Sequence, residues 1–128
     1  MSTGAASGRA LRTLALASGV YDLALGLPLL LAPVAVARLF GAPEPVPIVN
    51  ANLNGAFTLS LAAGYFWAAR DVEARRGYLW VAGVLAKGLG VVVFVLDHLL
   101  RGSPASFLLF AGSDGALALA TLWLLLRR

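Results

Sequence analysis

The sequence predicts an all-α integral membrane protein: one transmembrane domain in which four helices form a bundle with both termini in the cytoplasm. Three observations predict it. Hydrophobic residues make up 60% of the 128 residues and charged ones 12%, and the mean hydropathy is +0.86. Ordinary globular domains carry about 25% charged residues, so a chain this apolar has too little polar surface to face water and takes lipid as its solvent. Four stretches also reach the length, about 20 apolar residues, that a helix needs to cross a bilayer while satisfying its own backbone hydrogen bonds. Finally, the arginines gather on one side of those stretches.

The first helix is predicted from Thr13 to Ala37. Arg9 and Arg12 before it, and Ala35-Val36-Ala37 at its end, superficially resemble a cleavable signal peptide. The run from Leu14 to Ala37 is longer than a signal core of about 7–15 residues and carries Asp22 and Pro28, so this helix is expected to stay on the protein. Pro28 frees a backbone carbonyl and is a place for a kink. The helix ends before Gly41-Ala42-Pro43-Glu44-Pro45-Val46-Pro47, whose three prolines cannot continue it.

The second helix runs from Ile48 to Ala69 and stops at the charged turn Arg70 to Gly77, which reads as an ordinary solvated loop. The third runs from Tyr78 to Leu100, and Gly102-Ser103-Pro104 separates it from the fourth, Ala105 to Leu126, with Ser103 or Ser106 as its expected cap. No soluble domain and no repeat interrupts this series.

Orientation follows from the excess of Lys and Arg in cytoplasmic loops. Arg9, Arg12, Arg70, Arg75, Arg76, Arg127 and Arg128 fall on one side, and only Arg38 and Arg101 on the other. Trp67, Tyr78, Trp80 and Trp123 fall where an aromatic belt lies on the same cytoplasmic side. The chain is therefore placed in the inner (plasma) membrane.

Composition also excludes functions. The net charge of +4 comes from arginines at helix ends, not from a stripe interleaved with aromatics, so nucleic acid is not an expected partner. With no cysteine there is no disulfide, thiolate metal site or thiol relay, which excludes four-helix thiol oxidases of the quinone-linked type. One histidine excludes a bis-histidine haem within the chain. No nucleophile–base pair, metal-ligand spacing or phosphate-binding glycine loop is present, and Gly88 and Gly90 are explained by helix contact, so an independent enzyme is not expected.

Three ionisable residues lie deep within the predicted spans: Asp22, Lys87 and Asp114. At 1.5 Å per residue, Asp22 and Lys87 sit roughly 13–15 Å, and Asp114 roughly 18 Å, from the cytoplasmic ends of their helices. Facing lipid, each would cost about 2.5–3.5 kcal/mol, on the order of 8–10 kcal/mol for the set, so they are expected to face one another or water. Small residues that permit close helix approach surround them. Asp22 shares a face with Ser18, Gly19 and Gly26; Lys87 lies beside Ala82, Ala86 and Gly90; Asp114 stands between Gly112 and Gly115. Asn50, Asn54 and Thr58 stack at four-residue spacing on the second helix and add to this polar core.

With one lysine and two aspartates the cluster has one formal negative charge in excess. It reads either as a working proton site, with one aspartate holding an exchangeable proton, or as buried glue that fixes helix register. The asparagines read as interhelical hydrogen-bonding groups. Asp97, His98 and Arg101 form a second cluster at the outer end of the third helix. That cluster is either a snorkelled interfacial group or an outer site for a proton or a quinone head. Tyr21 reads as a packing residue whose hydroxyl can bond across helices.

Gly19-Val20-Tyr21-Asp22 to Leu27-Pro28, the Arg70-Asp71 to Arg76-Gly77 turn, Lys87 after a run of small residues and Asp114-Gly115 together resemble the small bacterial four-helix membrane proteins of the DoxX-like kind. The resemblance covers nearly the whole chain and implies quinone- or thiol-linked electron transfer; the absence of cysteine sets the thiol role aside. The small multidrug exporters are similar in size, with an acidic residue near the place of Asp22, but they leave Lys87 and Asp114 unexplained, and a buried lysine should repel cations. The sequence thus leaves three readings. One is a non-catalytic accessory protein with a structural Asp22/Lys87/Asp114 cluster. Another is a proton-coupled transporter, as a homodimer or within a larger membrane complex. The third is a quinone-binding redox accessory protein.

Overall fold

The computed structural model describes residues 3–127 and is all-helical, with no strand among them. Helix α1 runs Thr3–Leu31, α2 Pro33–Leu39 and α3 Ile48–Ala69. Helix α4, Arg76–Arg101, widens into π-type turns over Leu79–Ala86, and α5, Ala105–Leu126, opens with a 3₁₀ turn. Arg128, counted above among the cytoplasmic-side arginines, lies outside the described residues.

The first predicted span is corrected at both ends. The Ala-containing segment before Thr13 has no proline, and its two glycines only weaken a helix, so α1 starts ten residues earlier. The helix then breaks at Ala32 (φ −146°, ψ 59°) rather than running to Ala37. Pro33 is the reason: it has no N–H for the ladder, its ring disfavours helical backbone at the residue before it, and it restarts the chain as the first residue of α2. Pro28, by contrast, sits inside a helix that continues through it. The bounds of α3, α4 and α5 fall within two residues of those predicted.

Three of the helices, α1, α4 and α5, are long and apolar enough to cross a membrane. Helix α3 has the length, 22 residues, but Asn50, Asn52 and Asn54 lower its hydropathy. No serine caps α5, because its first turn closes on backbone alone, with Phe107 N–H donating to the Pro104 carbonyl at 3.0 Å. Ser106 instead donates to the Phe40 carbonyl at 2.5 Å, tying the end of α2 to the start of α5.

The bundle is two helical hairpins. Helix α1 packs along α3, α4 packs along α5, and α1 also touches α5, while α3 meets α4 only near the beginning of α4. The first hairpin is close because two glycines cross. A Cβ on Gly55 would stand 2.5 Å from the Leu30 nitrogen and 2.8 Å from the Gly26 carbonyl oxygen, so the backbones touch where side chains would hold them apart.

At the end of the bundle that carries the Arg70–Gly77 turn, the hairpins close on a packed core that includes Leu11, Ala15, Tyr65, Ala68, Leu79 and Leu125, all buried. Arginines complete this end. Arg12 Nε donates to the Ala69 carbonyl at 3.1 Å, Arg75 to the Trp67 carbonyl at 2.5 Å and Arg76 to the Leu125 carbonyl at 2.7 Å. These carbonyls lie in the last turns of α3 and α5, where helical partners run out, and that of Trp67 also accepts from the Arg70 N–H at 3.3 Å. The arginines that signal topology thus also cap two helices.

Candidate functional site

The three charges converge. Lys87 follows the widened turns of α4 and projects between the hairpins, its Nζ 3.1 Å from Asp22 Oδ1 on α1 and 3.5 Å from Asp114 Oδ1 on α5. Only 6% of Lys87 and 4% of Asp22 is exposed. The ammonium also lies 5.2 Å from the ring centre of Tyr21 and 5.4 Å from that of Tyr65, within the range at which an aromatic face attracts a cation. The Tyr21 hydroxyl shares a 2.5 Å hydrogen bond with Ser113 Oγ on α5. Ser113 spends its own proton on the Leu109 carbonyl at 2.7 Å, so Tyr21 is the donor. Adjacent residues of α1 therefore hold both helices of the second hairpin.

Small residues make this possible. Gly83 on α4 faces Thr121 on α5, where a Cβ would come within 2.9 Å of Cγ2, so the second hairpin is tight below Lys87. Asp22 Oδ2 is buried and has no hydrogen-bond partner among the described residues. The hydroxyl-bearing residues Ser18 and Tyr65, each 1% exposed, lie on the same faces of α1 and α3 toward the arginine-capped end.

On its other side the cluster is not sealed. A cavity of about 590 Å³ extends from Asp22, Lys87 and Asp114 toward the α2 end of the bundle, between the hairpins where α3 does not reach α4 and α5. Asn54 and Thr58 line one wall, and Phe94, Phe107 and Phe110 the opposite one. Phe40 joins those rings from α2's end, 4.8 Å from Phe110 between centres, and Phe94 stacks on Phe110 at 5.4 Å. Apart from the three clustered charges, the described residues that line the cavity are uncharged. It is an apolar space with one charged end.

The remaining predicted residues divide. Asn54 lines the cavity; Asn50 is exposed at the start of α3 and does not. Thr58 donates to the Asn54 carbonyl at 2.8 Å, a bond within its own helix. Asp97, His98 and Arg101 do not join the inner cluster, being ten or more residues along α4, roughly 15 Å or more away. Arg101 pairs with Asp97 at 2.7 Å, exposed at the helix surface. The His98 ring bonds the Ser103 carbonyl at 2.8 Å beside Gly102, whose left-handed backbone (φ 68°) ends the helix.

Sequence reasoning passed over Asn52, whose amide donates to the Leu30 carbonyl at 3.0 Å. The signal was Pro33: reading it as the end of α1 would have shown that the last carbonyls of that helix need a partner. It also passed over Tyr65 and the four phenylalanines. Comparison with family models, curated proteins and solved structures gives no match to this chain.

Proposed function

We propose that this chain is a non-catalytic inner-membrane protein of the DoxX-like kind that crosses the bilayer four times, with both termini cytoplasmic, and takes an amphipathic small molecule into its central cavity. One observation carries the ligand reading: Asp22, Lys87 and Asp114 form the inner end wall of an apolar cavity of about 590 Å³. That volume lies within the range of about 300–1,000 Å³ typical of small-molecule sites, and an apolar lining with a few convergent polar groups is their usual construction. A cluster that served only to fix helix register would have no need of an open face.

The membrane reading rests on α1, α4 and α5 and on the outer faces of the bundle, where Phe57, Val93, Leu99 and Leu119 are exposed. So much contiguous apolar surface needs lipid around it. Helix α3 supplies the fourth crossing by lying along α1, with Asn52 engaged on α1 and Asn54 turned to the cavity.

The natural absence of cysteine provides the test. Single cysteines at Ala42, in the turn after α2, and Ala74, in the arginine-rich turn, should react with a membrane-impermeant maleimide from opposite faces of the membrane. A cysteine at Ala86, on the cavity wall, should be protected by a bound amphiphile in a saturable manner. Labelling of Ala42→Cys and Ala74→Cys from one face would overturn the topology, and an Ala86→Cys that no amphiphile protects would overturn the binding reading.

A second reading, proton-linked transport, draws on the same geometry. The packed core closes the bundle toward the arginine-capped end and the cavity runs from the charges toward α2, the one-sided arrangement that a state of an alternating-access carrier requires. Asp22→Asn should then abolish proton-driven flux of the bound amphiphile in proteoliposomes, and undiminished flux would remove this reading.

A further inference from the structure

The chemistry of the charged end also selects the head group that enters the cavity, a step that rests on the binding reading above. Lys87 is the only cation at that end among the described residues, and its ammonium is directed at two carboxylates and flanked by two tyrosine rings. Its charge is matched, and two of its three N–H donors are directed at Asp22 and Asp114. The Tyr21 proton is given to Ser113, and the Thr58 proton to a carbonyl of its own helix. Among the described residues that line the cavity, the unpartnered buried side-chain atom is an acceptor: Asp22, with 4% of its surface exposed, keeps Oδ2 without a partner, while the Ser18 and Tyr65 hydroxyls, also unpartnered, do not line the cavity.

The charge count points the same way. Two carboxylates and one ammonium leave one formal negative charge at the closed end of an apolar space, where an uncompensated charge is costly. A carboxylate head would double that charge. A quinone head has only carbonyl acceptors: it can use the remaining Lys87 N–H or the Asn54 amide, but it leaves the unpaired Asp22 oxygen and the excess negative charge unanswered. A protonated amine does the reverse: its N–H groups are donors for the two carboxylates, Asp114 on the cavity surface and Asp22 with one oxygen still unpaired behind it, and its charge brings the local sum to zero. The wall formed by Phe94, Phe107 and Phe110 then receives an apolar tail.

We infer that the ligand is a lipophilic amine, its protonated N–H head held by Asp22 and Asp114 beside Lys87 and its tail lying along the phenylalanine wall toward α2. The expectation from sequence that a buried lysine repels cations does not hold in this geometry, because Lys87 stands between two opposite charges.

The test uses full-length protein in lipid nanodiscs with Ala86→Cys as reporter and four probes that differ in their heads: dodecylamine, dodecanol, dodecanoate and decylubiquinone. Dodecylamine should slow maleimide labelling saturably, half-saturating at a mole fraction at least ten-fold below the other three. Asp22→Asn should reduce that preference to the level of dodecanol. Asp114→Asn, which leaves the Lys87–Asp22 pair in place and removes the excess charge, should do the same, so the test survives if Asp22→Asn fails to fold. Asp97→Asn, in the surface pair, should leave the preference unchanged.

Equal or tighter protection by dodecanoate or decylubiquinone, or a preference for dodecylamine that survives both substitutions, overturns the amine assignment and leaves the cavity reading standing. Absence of protection by all four probes, with Ala74→Cys, outside the cavity, labelling normally, overturns the cavity reading itself.

Discussion

Replacing Lys87 with methionine removes the cation that two carboxylates share while keeping the length of the side chain. Its Nζ is 3.1 Å from Asp22 Oδ1 and 3.5 Å from Asp114 Oδ1 at a site where 6% of the lysine is exposed, so water does not screen the loss. Breaking a buried ion pair by removing one partner costs about 3–5 kcal/mol, because an unmatched charge stays behind. For a chain of 128 residues, at about 4 °C per kcal/mol, Lys87→Met should lower the melting temperature in detergent by about 12–20 °C. Replacing the whole cluster (Asp22→Leu, Lys87→Met, Asp114→Leu) removes the buried charges together. Such replacements are neutral or stabilising by about 1–4 kcal/mol, so the triple variant should melt at or above the parent. Differential scanning fluorimetry on the three proteins decides the matter. A Lys87→Met protein melting within about 4 °C of the parent, or a triple variant as unstable as the single one, would refute the claim that this contact joins the hairpins. The triple variant also separates the two roles of the cluster: it should stay folded and lose amphiphile protection of Ala86→Cys, whereas a cluster kept only for register would leave protection intact.

Gly55→Ala should destabilise the protein by about 1–3 kcal/mol or more, since the added methyl meets the backbone of α1 and not a movable side chain; melting temperature reads it, and an unchanged value would mean the hairpin can separate at no cost. Asn52→Leu should cost about 1–3 kcal/mol by stranding the Leu30 carbonyl, while Asn50→Leu, at an exposed site, should change stability by less than about 0.5 kcal/mol; equal effects would show that the Asn52 bond is not what matters. Arg76→Met should loosen the end of α5 by about 1 kcal/mol through loss of the bond to the Leu125 carbonyl, measurable as faster amide exchange over the last turn of that helix.

Much of this architecture is readable without coordinates because its punctuation is chemical. Gly102 and Pro104, the charged Arg70–Gly77 turn and the prolines before Ile48 stop helices by rules that need no tertiary context, and α3, α4 and α5 end where those rules put them. Pro33 escaped notice because apolar residues surround it and hydropathy masks a break in hydrogen bonding. Asp22, Lys87 and Asp114 are conspicuous for the cost of charge in lipid, and one lysine shared between two carboxylates offsets most of that cost while leaving one negative charge in excess. The cavity has no such signature. It exists because α3 leans on α1 and meets α4 only near the beginning of α4, and its phenylalanines come from the end of α2, from α4 and from α5. A feature made of a gap between elements leaves no period or motif in any one of them.

The division of the charges between the hairpins also sets the order in which they can be made safe. On the four-crossing reading proposed above, α1 and α3 reach the bilayer first during synthesis, carrying Asp22 with nothing to match it, at a cost of about 2.5–3.5 kcal/mol for an acidic group at mid-membrane. The second hairpin arrives with Lys87 and Asp114 already able to neutralise each other. The first half is thus left needing the second more than the second needs the first. On that reading a chain that ends after the Arg70–Gly77 turn leaves Asp22 unmatched, because both of its electrostatic neighbours, Lys87 and Asp114, lie in the second hairpin.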